Sequence, residues 1–299
     1  MKQQFVIGSH ISSSPNSSVF DGKYYFGGEM YSVVVKIIQR KNHPDATNEI
    51  RILNYLQKLP FGFDMCIPMY MSQITNREVI MIFQKAPLDL FAFYISENSN
   101  SLPLLVTKEN KLMYLSSHAY QIFEMLCNLH ENDIVHTDVK PDNIVCRDVN
   151  GKKLGFIDFG ECMQVSKKVQ YHMNIDEKNP EKQCLGTEQY RLPQIGLSQP
   201  YNLFANDLFC CGMTLLCLWL EATFYTDVKS CYKWKAAFMN KNWLIFIRHF
   251  FKKDIEQNSL AEPLLQFVAK MINSMHEEFP YAQRDILLND EFLNAWKKL

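Results

Sequence analysis

The stretch HTDVKPDNIV at residues 136–145 decides how this sequence is interpreted. It places the carboxylate of Asp138 two residues before Lys140 and five residues before Asn143. Another carboxylate, Asp158, follows a short apolar run further along the chain. Phosphoryl transfer needs a carboxylate near the attacking hydroxyl, oxygen ligands for a metal ion and cations along the phosphates. These residues therefore predict a site for phosphoryl transfer.

The chain on the N-terminal side of this stretch is predicted to be mostly strand. YSVVVKII (31–38) and REVIMIF (77–83) are runs rich in β-branched and apolar residues, as buried strands are. Between them, PDATNEIRILNYLQ (44–57) has an apolar face at helical spacing. QKAPLD (84–89) breaks the pattern and is predicted to be a connector.

Helical patterns dominate the second part of the chain. The apolar residues of one predicted amphipathic helix recur at spacings of three and four: Leu112, Leu115, Ala119, Ile122, Phe123, Leu126 and Leu129. Asn150-Gly151 predicts a hairpin turn between short strands, and helical patterns continue from about residue 200. Strands followed by helices predict an α+β fold.

Composition limits the classes of partner. A formal net charge of −1 argues against a dedicated nucleic-acid-binding protein. The stretch LFCCGMTLLCLWL (208–220) is too short to cross a membrane comfortably and is predicted to be a buried core helix. Nine cysteines without a C-x-x-C pair indicate reduced thiols in the core, and the N-terminus lacks a signal-peptide pattern. We therefore expect a cytoplasmic or nuclear protein with no nucleic-acid or membrane partner.

The central motifs resemble those of the eukaryotic-type protein kinase family. That family carries H-R-D-x-K-P-x-x-N followed by D-F-G. The matching positions are His136, Asp138, Lys140, Pro141, Asn143, Asp158, Phe159 and Gly160. The resemblance implies that Asp138 and Lys140 act in catalysis. It also implies that Asn143 and Asp158 bind Mg²⁺ and that ATP is the phosphate donor.

Two residues of the first part extend this resemblance. VVVKII (33–38) resembles the V-A-I-K strand, which implies that Lys36 contacts the α- and β-phosphates of ATP. Glu49, in the following predicted helix, is expected to form the family's ion pair with Lys36. Asp45 is the alternative acid for that pair.

The resemblance continues towards the C-terminus. GTEQYRLP (186–193) resembles the end of the family's activation segment, and Thr187 is expected to contact Asp138 and Lys140. Asp207 resembles the aspartate that anchors the backbone of the catalytic loop, and Arg284 the arginine that supports the end of the segment.

The fold implied by the resemblance is bilobal, with a small β-rich N-lobe and a larger, mainly α-helical C-lobe. We predict a single kinase domain over residues 1–299. Its N-lobe is expected at about 1–83, its hinge at about 84–87 and its C-lobe at about 88–299.

The nucleotide loop departs from the family's G-x-G-x-x-G-x-V pattern. Counting back from Val19 puts serines on the three glycine positions, at Ser12, Ser14 and Ser17. Anchoring on Gly8 instead puts histidine and serine, at His10 and Ser13, on the second and third. Because glycine lets backbone N–H groups approach a phosphate closely, we expect weaker or slower nucleotide binding than in a glycine-rich loop.

Thr137 stands where many kinases have the arginine that binds a phosphorylated activation loop. Threonine cannot make the bidentate charged contact that a phosphate favours. The segment 161–185 also has few hydroxyl residues, namely Tyr171 and Ser166. We therefore expect activity without activation-loop phosphorylation. Gln194 replaces the glutamate that would pair with Arg284, so that contact becomes at most a neutral–charged hydrogen bond.

The leading hypothesis is an ATP- and Mg²⁺-dependent serine/threonine protein kinase that phosphorylates hydroxyl residues of a protein substrate. Lys140 and Thr187 form the serine/threonine signature of the family. A pseudokinase that serves as a scaffold is the alternative favoured by the serine-rich loop. A small-molecule kinase of the choline or aminoglycoside type also carries H-x-D-x-x-x-x-N, but usually lacks the Lys140 and G-T-x-x-Y features.

Overall fold

The computed structural model of this chain describes residues 4–42, 45–94, 107–165, 186–196, 201–220, 244, 248 and 251–273. The chain divides into two compact units. The first contains Met1–Pro87 and Gly155–Cys162, and the second contains Leu88–Leu154 and Met163–Leu299. The first unit is rich in strands and the second is mainly helical, so the predicted α+β class is confirmed.

The first unit is built on a five-stranded antiparallel sheet with the strand order β1-β2-β3-β5-β4. Its strands are β1 (Gln4–Ser13), β2 (Ser17–Phe26), β3 (Glu29–Gln39), β4 (Met69–Ile74) and β5 (Glu78–Gln84). Its helices are α1 (Asn48–Leu56) and the short α2 (Gly62–Met65). Both strands predicted from β-branched runs are confirmed, and the predicted helix is shorter than expected because a turn at residues 45–47 precedes it.

Side-chain alternation along β3 determines which residues face α1. Val33 and Val35 are fully buried in a cluster on one face of the sheet. Ile38 packs on the other face in a cluster that includes Ile50 of α1. Because side chains alternate along a strand, Lys36 lies on the same face as Ile38. The sheet therefore directs Lys36 towards α1.

The second unit contains six helices among the described residues: α3 (Leu90–Tyr94), α4 (Lys108–Glu131), α5 (Pro193–Gly196), α6 (Leu203–Leu220), α7 (Lys252–Gln257) and α8 (Ala261–Asn273). Its short strands are β6 (Leu88–Asp89), β7 (Ile134–Val135), β8 (Ile144–Cys146) and β10 (Met163–Gln164), while β9 (Leu154–Phe156) crosses the unit boundary. β6 pairs antiparallel with β8, and β7 with β10. The predicted turn is present, because Arg147 N–H donates to Lys153 O and Gly151 has a φ of +66°.

Helix α6 forms the centre of the second unit. It is long and apolar enough to cross a membrane, with a mean hydropathy of 1.7, but 94% of it is buried inside the protein. An ideal Cβ on Gly212 would lie 2.7 Å from Ile272 of α8, so glycine permits a close helix–helix contact. The prediction of a buried core helix is confirmed. The seven described cysteines are also buried and unbridged.

Candidate active site

Lys36 and two carboxylates form a compact ionic group in the first unit, which we call the lysine cluster. Lys36 Nζ lies 2.6 Å from Glu49 Oε2 and 2.5 Å from Asp158 Oδ1. Glu49 stands in the first turn of α1 and its side chain is 2% exposed. Asp45, the alternative acid, is exposed and precedes the helix. The structure thus pairs Lys36 with Glu49, as predicted.

The lysine cluster keeps its central cation charged. Burial alone lowers the pKa of Lys36, since desolvation disfavours the ammonium form. The charges of Glu49 and Asp158, with their hydrogen bonds, outweigh that effect and raise the pKa above its ordinary value. Lys36 is therefore cationic across the physiological pH range and suited to contact phosphate oxygens.

Asp158 is held in an unusual backbone conformation. Its φ of 61° and ψ of 68° lie in the left-handed region, and the 3-10 turn Phe159–Glu161 follows it. Few residues other than glycine adopt this conformation without cost. The carboxylate side chain is 47% exposed, so a metal ion could reach it from solvent. A carboxylate oxygen is a ligand that Mg²⁺ prefers.

The second unit contains another group, centred on Asp138, which we call the loop cluster. Lys140 Nζ lies 2.7 Å from Asp138 Oδ2 and 2.8 Å from Thr187 Oγ1. Thr187 donates to Asp138 Oδ1 from both its backbone N–H, at 2.7 Å, and its hydroxyl, at 2.6 Å. Asp138, Lys140 and Thr187 are thus in mutual contact, which is the arrangement predicted for the end of the activation segment.

The loop cluster keeps Asp138 ionised. Burial would raise the pKa of this carboxyl, but the Lys140 ammonium and the hydrogen bonds from Thr187 outweigh burial and hold the pKa below its ordinary value. The carboxylate therefore remains a hydrogen-bond acceptor at any pH at which the protein is expected to work. Such a group can orient a hydroxyl and take its proton.

Asn143 completes the loop cluster. Its Nδ2 donates to Asp138 O and to Asp138 Oδ2, both at 2.9 Å. Since both amide hydrogens are engaged, the orientation of the amide is fixed and its oxygen Oδ1 is the atom suited to bind a hard cation. Asn143 and Asp158, which were predicted to share the metal, belong to different units.

Asp207 anchors the backbone that precedes Asp138. Its two carboxylate oxygens accept from the backbone N–H groups of His136 and Thr137, both at 2.7 Å. Its Oδ2 also lies 2.9 Å from His130 Nε2. Asp207 is fully buried, as predicted for the anchoring residue. His130 was missed in the sequence, although it precedes the loop in helix α4.

Thr137 is fully buried and has a φ of 68°, which is rare for a β-branched residue. Its carbonyl oxygen lies only 2.4 Å from where a Cβ on Gly186 would stand. Gly186 itself has a φ of +72°. The close approach of these two backbones places Thr187 against Asp138, so the glycine before Thr187 is needed for steric reasons.

The serine-rich sequence near the N-terminus forms the turn between β1 and β2. Ser14 and Ser17 hydroxyls lie 2.8 Å apart, Ser13 and Ser18 hydroxyls 3.2 Å apart, and the N–H of Ser17 donates to Ser14 Oγ. The turn lies at residues 14–16, so it begins at Ser14 and ends just before Ser17, two of the positions counted back from Val19. Anchoring on Gly8 would instead put all three glycine positions of the family pattern inside β1. The structure therefore favours the count from Val19.

Several predicted residues lie outside the described part of the chain. Arg284, Tyr171 and Ser166 are among them, and the side chain of Gln194 is not described. The predicted Gln194–Arg284 contact therefore remains a prediction. Sequence analysis also missed Asn48, whose amide binds the backbone beside Asp158.

Comparison with known proteins finds one matching family and several relatives. The sequence profile of the family described as "Protein kinase domain" matches residues 16–284. MAPK/MAK/MRK overlapping kinase from Homo sapiens is 33% identical over 65% of the chain and 40% of its own length. Dual specificity tyrosine-phosphorylation-regulated kinase 3 from Homo sapiens is 27% identical over 57% of the chain and 26% of its own length.

A third relative, myosin light chain kinase family member 4 from Mus musculus, is 23% identical over 62% of the chain. The alignment covers 42% of that relative. The chain therefore spans less than half the length of each of these three proteins.

Proposed function

Because the chain belongs to the eukaryotic-type protein kinase family, we propose that it is a serine/threonine kinase that transfers the γ-phosphate of ATP to a protein hydroxyl. The observation that carries this proposal is the loop cluster. Lys140 lies within hydrogen-bonding distance of both Asp138 and Thr187, and Thr187 in turn donates to Asp138. These contacts bring together the carboxylate, the ammonium group and the hydroxyl that the proposed transfer requires.

Each cluster has its own task in the proposed reaction. Lys36 would bind the α- and β-phosphates of ATP, and Glu49 would orient it. Asn143 and Asp158 would hold Mg²⁺, which neutralises phosphate charge when it is bound. Asp138 would accept the proton of the substrate hydroxyl, while Lys140 would contact the phosphoryl group that is transferred.

The variant Asp138→Asn tests the assignment. The amide cannot act as a base, so we expect transfer to a protein substrate to fall by roughly 10²- to 10⁴-fold. Nucleotide binding should remain unchanged, because Asp138 is not expected to bind ATP. The control Glu256→Gln makes a similar carboxylate-to-amide change on α7, at a side chain that is 61% exposed. Undiminished transfer in Asp138→Asn would contradict the proposal.

A pseudokinase is the second candidate, and the serine-rich turn favours it. The serine hydroxyls bond to one another, so a phosphate would have to displace those contacts. Transfer of radiolabel from γ-labelled ATP to a generic protein substrate separates the candidates. Incorporation above that of Asp138→Asn supports an active kinase. Equal incorporation supports a binding module.

We further propose that activity does not depend on phosphorylation of the activation loop. Thr137 is fully buried and has no charged group with which to bind a phosphate. Protein treated with a phosphatase, with its phosphate content measured by mass spectrometry, should transfer at the rate of untreated protein. Loss of nearly all activity would refute this part of the proposal.

Substrate class and location complete the proposal. Lys140 and Thr187 favour serine or threonine as acceptor, and we expect the protein to act in the cytoplasm or nucleus. One matched relative carries "dual specificity" in its name, so the substrate panel should include tyrosine peptides. A peptide array incubated with labelled ATP would identify the preferred acceptor. Preference for tyrosine would overturn the serine/threonine assignment.

A further inference from the structure

Asn48 is a buried asparagine immediately before Glu49 in the first turn of α1. It is 7% exposed. Its Nδ2 donates to the carbonyl oxygen of Gly160 at 3.0 Å and to that of Cys162 at 2.9 Å. Its Oδ1 accepts from Arg51 Nη2 at 2.7 Å. Both donor hydrogens of the amide and its acceptor oxygen are therefore in use.

These contacts bring α1 against the chain that follows Asp158. Glu49 accepts a hydrogen bond from the backbone N–H of Phe159. Two adjacent side chains of one helical turn thus bind both kinds of backbone group, since Glu49 accepts from an N–H and Asn48 donates to two carbonyls. The contacts all lie within the first unit. They fix the position of the turn after Asp158 relative to the helix that carries Glu49.

The donor bonds of Asn48 are not those of a helix cap. A capping side chain accepts from the first N–H groups of its own helix. The Nδ2 of Asn48 instead donates to carbonyls more than a hundred residues away in the sequence. An aspartate of the same shape would set a carboxylate oxygen against those carbonyls, and an alanine would remove both donors.

We propose that Asn48 is a positioning residue for phosphoryl transfer, which holds residues 158–162 against α1 so that Asp158 and Glu49 keep their places around Lys36. This inference rests on the proposed kinase function. Because the restraint is a neutral amide, it requires no phosphate. It therefore supplies a way to order the metal-binding segment in a chain that lacks the family's arginine at position 137.

The test compares Asn48→Asp with Asn54→Asp. Asn54 lies in the same helix but is exposed, so both variants carry the same chemical change and the same added charge. For Asn48→Asp we expect kcat to fall by roughly 10- to 100-fold, as is typical when a reacting group is displaced. The Mg²⁺ concentration for half-maximal activity should rise as well. Asn54→Asp should match the wild type in both measurements.

Asn48→Ala serves as a second variant, since it removes the donors without adding a charge. It should shift kcat and the Mg²⁺ requirement in the same direction as Asn48→Asp, but less. Both variants are measured at a temperature where circular dichroism reports a folded protein. Lower melting temperatures with wild-type kcat and Mg²⁺ dependence would show a merely structural role and overturn the inference.

Amide hydrogen exchange separates this inference from the kinase proposal. In the unliganded protein, peptides that cover residues 158–162 should exchange faster in Asn48→Asp than in Asn54→Asp. Equal exchange in the two variants would overturn the restraint, whatever the activity. A wild-type protein that transfers no phosphate, but shows this difference in exchange, would refute the kinase function while supporting the restraint.

Discussion

The lysine cluster and the loop cluster both pair a lysine with carboxylate, but they differ in the number of backbone N–H groups that hold the surrounding chain. In the lysine cluster, Lys36 contacts the side chains of Glu49 and Asp158, and one backbone N–H, that of Phe159, binds Glu49. In the loop cluster, Thr187 N–H binds Asp138. The chain just before Asp138 is also fixed through its backbone, by the carboxylate of Asp207.

Because of this difference, we expect the two clusters to contribute differently to stability and to catalysis. A side chain can change rotamer at small cost, whereas a buried backbone N–H that loses its acceptor is destabilising. We therefore expect substitutions around the loop cluster to lower the free energy of unfolding strongly. Substitutions in the lysine cluster should affect catalysis more than stability. The four predictions below test this contrast.

The largest effect is expected for Asp207→Asn. The amide retains one acceptor oxygen and turns a donor towards a backbone N–H, so at least one buried donor loses its partner. A hydrogen bond to a charged group contributes about 1.5–3 kcal/mol to the free energy of unfolding, and Asp207 accepts two from backbone N–H groups. Urea denaturation followed by circular dichroism measures it. The stability control is Asp142→Asn, an exposed carboxylate. Equal stability of the two variants would remove the contrast.

Gly186→Ala is expected to follow. Its Cβ would stand 2.4 Å from Thr137 O, and its φ of +72° is unfavourable for alanine. The left-handed conformation costs about 1–2 kcal/mol, and the overlap adds about 1–3 kcal/mol. Gly27→Ala is a matched control, since Gly27 has a φ of +63° with nothing within 4 Å of an added Cβ. The difference between their unfolding free energies isolates the overlap, and no difference would contradict it.

Glu49→Gln should be milder for stability. Lys36 keeps Asp158 as a partner, so we expect a loss of about 1–3 kcal/mol in the free energy of unfolding. The loss in kcat/KM for ATP, expressed as a free energy, should be larger than this loss of stability, because Lys36 is no longer held by two carboxylates. Glu256→Gln makes the same chemical change at an exposed residue and should alter neither quantity. If Glu49→Gln destabilised the protein as much as Asp207→Asn, the proposed contrast would be wrong.

The smallest effect concerns the ionisation of Asp138. The Lys140 charge is the largest of the influences that lower the pKa of this carboxyl, and burial opposes it. In Lys140→Met, the effect of burial would be opposed by the hydrogen bonds from Thr187 without the Lys140 charge, so the pKa of Asp138 should rise. A carbon-13 NMR titration of the Asp138 carboxyl measures the shift. Lys252→Met, at an exposed lysine on α7, is the control and should leave the titration unchanged.

The placement of the main site residues could be predicted because their motifs resemble those of a known family. The resemblance of VVVKII (33–38) to the V-A-I-K strand identified Lys36, and the family's ion pair identified Glu49 in the following predicted helix. The contacts of Thr187 and Asp207 were predicted from the family resemblance, and the structure confirms them as contacts. The roles of these residues in catalysis remain predictions.

Other features could not be predicted because they depend on tertiary contacts. Asn48 and Asn54 are two asparagines of one helix, and nothing local distinguishes them. Asn48 is a buried donor because the carbonyl groups of Gly160 and Cys162, which are distant in the sequence, pack against it in the fold. The left-handed conformation of Thr137 is likewise imposed by its surroundings and contradicts the preference of a β-branched residue.

The conformation of Thr137 has a consequence for sequence variation among engineered forms of this chain. At most buried positions, tolerance to substitution is governed by side-chain volume. At position 137 the backbone dihedral angles should matter more than volume. In a saturation-mutagenesis library, asparagine and glycine would be enriched over valine and isoleucine, although the latter are closer to the usual composition of a core. The amino-acid preference of this site is thus determined by chirality rather than by hydrophobicity.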